Sequence, residues 1–280
     1  MNLASLFEQT HNLPNIPKVV QELIETFNQE DVDMDKIANK IGMDPVLTAK
    51  VLRLANSAHY GVSRSVASTT DASVLLGSST LRTLVLASGI TGAMQAPEGF
   101  NRKDFWRDNF AVAAIAKWMA PYCTGDTKPN PETAFTCGML HSIGELLIQV
   151  LMPSEAKKIM AAVSAGGKLH DVENSMLGYN YADVGAELAI LWKFPEEIVE
   201  GIRHHTNPVQ DDHTDLLAGL VHLACYIHDS KKQNLSEADV LAGFPTSIAK
   251  SINMETAKAL EDLKEAGSIE SGMDALLEDT

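Results

Sequence analysis

Residues 103–120 read KDFWRDNFAVAAIAKWMA and residues 131–150 read PETAFTCGMLHSIGELLIQV. In both, apolar residues return every three or four positions, the spacing of one face of an α-helix, and neither alternates with the period of two that a half-buried strand needs. The pattern extends outward in both directions. Upstream, Val19, Val20, Leu23, Ile24 and Phe27 repeat with helical spacing behind Pro14 and Pro17, and a short helix fits Met34–Ile41. Asp44-Pro45 has the form of an N-cap followed by proline at the first helical position, opening PVLTAKVLRLA. Asp71–Leu76 and Ser79–Met94 resume the period, with Gly77 as a break between them. Downstream, helices fit Ser154–Ala165, Leu169–Leu177, Tyr181–Lys193, Pro195–His205 and Asp215–His228. No segment reads as a strand, so the expected fold is all-α.

Two stretches divide the chain. MQAPEGFN (94–101) is rich in turn formers and separates an N-terminal helical bundle, 13–94, from a second helical half, 102–228. After Asp229 the polar run SKKQNLSEAD leads into a C-terminal helical appendage, 229–280. Ser236 and Asp239 form a capping-box-like start there, a short amphipathic helix fits Glu255–Ala266, and the chain ends in the acidic SIESGMDALLEDT.

Composition narrows the function. The chain has 280 residues, 45% of them hydrophobic, enough for a real core, and 22 basic residues against 37 acidic give a net charge of −15. A binder of nucleic acid or of an anionic membrane clusters Lys and Arg to neutralise phosphates; here they are scattered, so neither partner is expected. No apolar run reaches the roughly 20 residues that span a bilayer. The start, MNLASLFEQTHNLPNIP, has neither the basic nor the apolar region of a signal peptide. Cys123, Cys137 and Cys225 are not spaced as a disulfide framework, and a cytoplasmic location is expected.

Among nine histidines, His141 and the adjacent pair His204-His205 stand where chemistry is conceivable. His and Asp drawn from several helices can build a metal centre, yet a single His on an apolar helix also serves as a hydrogen-bonded core residue. A His pair ending a helix is equally at home against the helix dipole. His222-x-x-Cys225 has no second such pair and reads as core. RLANSAHYG, with Arg53, Asn56, Ser57, His59 and Tyr60, is either an interaction loop or a simple helix termination. Gly166-Gly167 is a helix stop, and no GxSxG, phosphate loop or paired CxxC occurs.

Several ordered segments together resemble the HDOD (HD-related output domain) family: LPNIPKVVQELIETF, KIANKIGMDPVLTAKVLRLANSAHYG, DASVLLGSSTLRTLVLAS, FWRDNFAVAAIAKWMA, FTCGMLHSIGELLI, YADVGAELAILWKFPEEIVEGIRHH and LAGLVHLACYIH. The resemblance covers roughly residues 13–228. It implies an HD-like helical domain related to metal phosphohydrolases and a place in bacterial signal transduction.

The same resemblance gives the histidines a meaning. Active HD enzymes take a first His from a helix like WRHSLAVA; WRDNFAVA here puts Asp108 in that place. Their His-Asp pair falls on His141-Ser142, the lysine of HDIGK falls on Glu145, a further His falls on Tyr181, and a late Asp falls on Cys225. His204-His205 survives. Metal-assisted hydrolysis needs cations held with open positions, and without the missing carboxylates and imidazole a two-metal site has too few donors. Asp108, His141, His204 and His205 could still gather around one residual divalent ion such as Mn, Fe or Mg. The expectation is a non-catalytic regulatory module that needs no cofactor and acts by binding another signalling protein. The alternatives are a phosphohydrolase with a reduced metal site and a sensor of a small nucleotide ligand in the cleft near His141 and His204.

Overall fold

The computed structural model describes residues 3–7, 16–27, 32–57, 60, 65–93, 97, 100–210 and 213–265. Helix dominates them, as the sequence periodicity requires. One departure from the expectation of no strand is a ladder of two residue pairs, Val209–Gln210 (β1) antiparallel to His213–Thr214 (β2). Two residues a side are too few for any alternation to be read. The chain folds as two compact units, a smaller one running Pro14–Gln95 and a larger one running Ala96–Glu270, with α1 (Leu3–Phe7) grouped with the larger.

In the smaller unit, α2 (Lys18–Phe27) follows Pro17 and buries Val20, Leu23, Ile24 and Phe27, one stripe at helical spacing. Each such side chain contributes about 1.5–3 kcal/mol on leaving water. Asp33 caps α3 (Met34–Gly42), and Asp44 caps α4 (Pro45–Ala55) by accepting from the Val46 and Leu47 N–H groups, both at 2.9 Å. The Arg82 guanidinium, buried on α5 (Thr69–Ala93), donates to the Phe27 carbonyl and lies over the Phe27 ring, its central carbon 5.7 Å from the centroid. It thereby serves the carbonyl end of α2, where a cation is favoured. Gly77 breaks α5 with φ 75° and ψ 164°, a conformation a side chain disfavours, which is the break expected there.

In the larger unit, α6 (Arg102–Met119) packs against α7 (Pro131–Leu140). The single helix expected over 131–150 is in fact two, α7 and α8 (Ile143–Leu151). His141 explains the break: its Nδ1–H donates to the Gly138 carbonyl at 2.7 Å, taking the acceptor that residue 142 would use to continue the helix. Ser142 leaves helical geometry with φ −106° and ψ 11°. Pro131–Leu151 is apolar and long enough by composition to cross a membrane, but it is 78% buried in the fold and interrupted at this point.

Next come α9 (Pro153–Ser164), α10 (Leu169–Leu177) and α11 (Tyr181–Leu191). An Asn180–Asp183 capping box opens α11, and the buried Glu173 carboxylate accepts its first N–H, that of Tyr181, at 2.7 Å. At the approach of α8 to α11, a Cβ on Gly144 would lie 2.0 Å from the Tyr181 carbonyl oxygen and 2.6 Å from the Gly185 nitrogen. After α12 (Glu196–His204), α13 (Leu216–Lys232) runs about a turn beyond the expected end at His228. The residues that follow form α14 (Glu237–Gly243), capped by Ser236 as expected, then α15 (Thr246–Ser251) and α16 (Thr256–Glu265). They are tied to the same unit. Cys123 pairs with Met254 in an isolated bridge, Tyr122 Oη donates to Asp262 at 2.7 Å, and Tyr226 packs edge-on against Phe244. The acidic tail, 268–280, lies outside the described residues.

Three outcomes follow for stability. Gly144→Ala is expected to cost about 3 kcal/mol or more, because backbone rather than a yielding side chain stands in the way; denaturant unfolding reads it. Removing residues 234–280 uncovers Tyr226 and the Tyr122–Cys123 edge, so the remainder is expected to fold with its Tm lowered by about 5 °C or more in calorimetry. Burial pushes the Glu173 carboxyl up from 4.5 to about 8, with Glu145 and Asp183 adding to the rise against the Tyr181 hydrogen bond. The folded chain therefore holds a proton that the unfolded chain releases between those values, and this group makes stability fall as pH rises through that window. Glu173→Gln is expected to lose less Tm between pH 5 and 8 than the unaltered protein; identical pH profiles would assign the effect elsewhere.

Candidate functional site

The break between α7 and α8 presents His141 and Ser142 to a cavity of about 870 Å³ in the larger unit, between α6, α8, the start of α10, Tyr181 on α11 and the last two turns of α13. Asp108, Glu145, Tyr181 and Cys225 line it too. Five of the seven positions singled out from sequence as former metal positions thus border one cavity: Asp108, His141, Ser142, Tyr181 and Cys225. His205 lies directly behind, its ring 5.2 Å from that of His141 and 5.5 Å from that of Tyr181.

Hydrogen bonds fix the tautomers. His141 and His205 each donate Nδ1–H to a carbonyl of their own helical turn, Gly138 at 2.7 Å and Ile202 at 2.6 Å, leaving Nε2 as the acceptor on both rings. Burial lowers the His141 pKa to about 4 and, with His141 beside it, that of His205 to about 3, so both are neutral at physiological pH. The His205 Nε2 lone pair, the one a metal would take, accepts the Tyr181 hydroxyl at 3.1 Å. His205 is held further by His222, whose Nδ1 donates to its carbonyl at 2.8 Å.

Asp108 is occupied as well. Lys232 Nζ meets Oδ2 at 2.5 Å and His228 Nε2 meets Oδ1 at 3.2 Å. Burial works to raise the Asp108 pKa, but these two partners outweigh it and hold the carboxyl below its usual value. Ser142 Oγ donates to Asn109 Oδ1 at 2.8 Å, and Asn109 in turn donates to the Phe105 carbonyl at 2.8 Å. Burial pushes the Cys225 thiol far up, away from the thiolate that binds metals. Among the described residues, no three His, Cys, Asp or Glu side chains converge as a metal-binding group.

His204 does not join this cluster. The helical turn at α12 sends the adjacent histidines to different sides, and His204 Nε2 pairs with Glu200 at 3.1 Å beside a separate polar depression of about 510 Å³. The suggested loop lies in the smaller unit. There Asn56 clamps the chain, donating to the Leu52 and Val66 carbonyls at 2.7 and 2.8 Å and accepting from the Val66 N–H at 2.8 Å, which accounts for it as a loop closure. Arg53 is exposed and Tyr60 half-buried; His59 lies outside the described residues. Sequence reasoning missed His228, Asp229 and Lys232 as cavity residues. The signal was there: 225, 228, 229 and 232 recur at steps of three and four, one face of a helix whose end was set a turn too early.

Comparison with known proteins agrees with this fold. The HDOD domain family matches residues 13–208. A structure from Shewanella amazonensis SB2B, of a protein named provisionally as a phosphohydrolase, superposes with TM-score 0.80 at 37% identity, covering 98% of both chains. An HDOD domain protein of unknown function from Geobacter sulfurreducens superposes with TM-score 0.75 at 23% identity, covering 98% of this chain and 97% of that one. An uncharacterised protein of Treponema pallidum (strain Nichols) is 26% identical over 206 residues, 73% of this chain, and this chain spans 39% of that relative's length. On the extent of the family match and the conserved path of the helices, the chain belongs to the HDOD family.

Proposed function

We propose that this chain is a non-catalytic regulatory module of bacterial signal transduction, cytoplasmic, working through contact with another signalling protein and requiring no cofactor. One observation carries the reading. Two of the groups that would have to face a metal are engaged within the chain, Asp108 by Lys232 and His228, and His205 by Tyr181. An ammonium now supplies the positive charge that a divalent ion would bring to the Asp108 carboxylate. Hydrolysis by a metal-bound water needs an ion with open positions, and the engagement of these two groups supports a site that works without one. The scattered basic residues and net charge of −15 support a protein partner over nucleic acid or an anionic membrane.

Elemental analysis tests the reading. The unaltered protein is expected to purify with far less than one equivalent of Mn, Fe or Mg. A variant carrying Asp108→His, Ser142→Asp, Tyr181→His and Cys225→Asp is expected to retain more of each, because every change adds a donor or removes one that is already engaged. Near-stoichiometric metal in the unaltered protein, with turnover of bis(p-nitrophenyl) phosphate that a chelator abolishes, would overturn the proposal in favour of a phosphohydrolase with a reduced site.

A further inference from the structure

Hydrogen-bond accounting shows what kind of molecule the 870 Å³ cavity suits. Its floor offers mostly acceptors. His141 lines it with Nδ1–H already given to Gly138, so the atom it has to offer is Nε2. Ser142 and Tyr181 have given their hydroxyl protons to Asn109 and His205, and each keeps oxygen lone pairs. The Glu145 carboxylate meets Gln149 Nε2 only at 3.4 Å, beyond the range of a good bond. Some of the donors nearby are engaged, Lys232 and His228 on Asp108 and one Asn109 N–H on the Phe105 carbonyl. His141 lines the cavity with its Nδ1–H engaged, so a ligand's donor can be met there by Nε2.

Charge points the same way. Burial raises the Glu145 pKa, with Asp108 adding to the rise, and the combined help of Gln149 and Lys232 does not offset them. A cation placed against Glu145 would supply what is lacking. Aromatic faces stand at one end of the cavity, Phe100 and Phe105, with ring centroids 5.3 Å apart, and such faces attract ammonium and guanidinium groups. Lys168 and His170 line both this cavity and the neighbouring depression.

We infer that the cavity is a binding site for a small organic cation with an N–H-rich head, an amine or a guanidinium, seated against Glu145, His141 and Ser142. It goes beyond the regulatory role proposed above and rests on that reading only in taking the site to be metal-free, which elemental analysis reads separately. The experiment is calorimetric and thermal-shift titration of the full chain, in chelator, with agmatine, spermidine and L-arginine, and with guanosine monophosphate and inorganic phosphate as anionic counterparts. Saturable binding of at least one of the three cations is expected, weakened about tenfold or more by Glu145→Gln, which removes the charge and keeps the shape. Ser142→Ala, which deletes a single acceptor from the floor, is expected to weaken the same ligand less and decides the matter if Glu145→Gln fails to fold. Three results would each overturn the inference: no saturable binding by any of the cations, binding unchanged in the folded variants, or binding by the anions alone.

Discussion

Where α8 meets α11, two backbones approach so closely that residue 144 has no space for a side chain. Much of the site depends on that approach. It sets the start of α11 beside the α7–α8 break, so that Tyr181 stands over His205 while its N–H reaches the Glu173 carboxylate. It also holds Ser142 within reach of Asn109 across α6. The chemistry-bearing side chains come from five helices, and none could keep a hydrogen-bonding position if the helices were free to slide. Close packing of backbone on backbone fixes such positions better than side-chain contacts, because nothing at the contact can change rotamer.

The electrostatics follow from burial. An imidazole enclosed as His141 and His205 are costs free energy to protonate, so both titrate far below their usual range. A neutral imidazole with Nδ1–H donated has one need, a donor for Nε2. For His205 a phenol meets it, and Tyr181 pays no charge penalty in doing so. Asp108 presents the opposite case, a carboxylate held below its usual pKa by hydrogen bonds from His228 and Lys232 on one face of α13. The Asp108–Lys232 pair is largely exposed, so solvent screens it and its net contribution to stability is small.

The helices were legible from sequence because each carries an apolar face at helical period and most begin with a recognisable cap: Asp44 with Pro45, Ser236, and the break at Gly77 all fall where the residues place them. Three features were not legible, for distinct reasons. The interruption at residues 141–142 arises from a side chain competing for a backbone acceptor, an event within an unbroken apolar pattern. The end of α13 lies in SKK, a polar run that reads as a loop although lysines suit the last turn of a helix. The divergence of His204 and His205 follows from the helical turn of about 100° per residue, yet a motif read as a pair hides it. Of the positions carried over from the family pattern, Asp108, His141, Ser142, Tyr181 and Cys225 line one cavity and His205 backs it, because they sit on helices whose packing the family shares.

The source of positive charge distinguishes this cavity from a metal centre. A metal centre concentrates charge at one point and asks every surrounding group to be an acceptor. Here the charge comes from the Lys232 ammonium and, when it is protonated, the His228 ring, and both are held to the Asp108 side of the cavity. Glu145 and the Nε2 of His141 add acceptors to the same cavity. Glu145 is decisive in this. A lysine at that position, as in the active relatives' motif, would place a donor and a charge on the floor, while a carboxylate inverts both. On the proposal made above, these groups enclose a space suited to an N–H donor carrying positive charge.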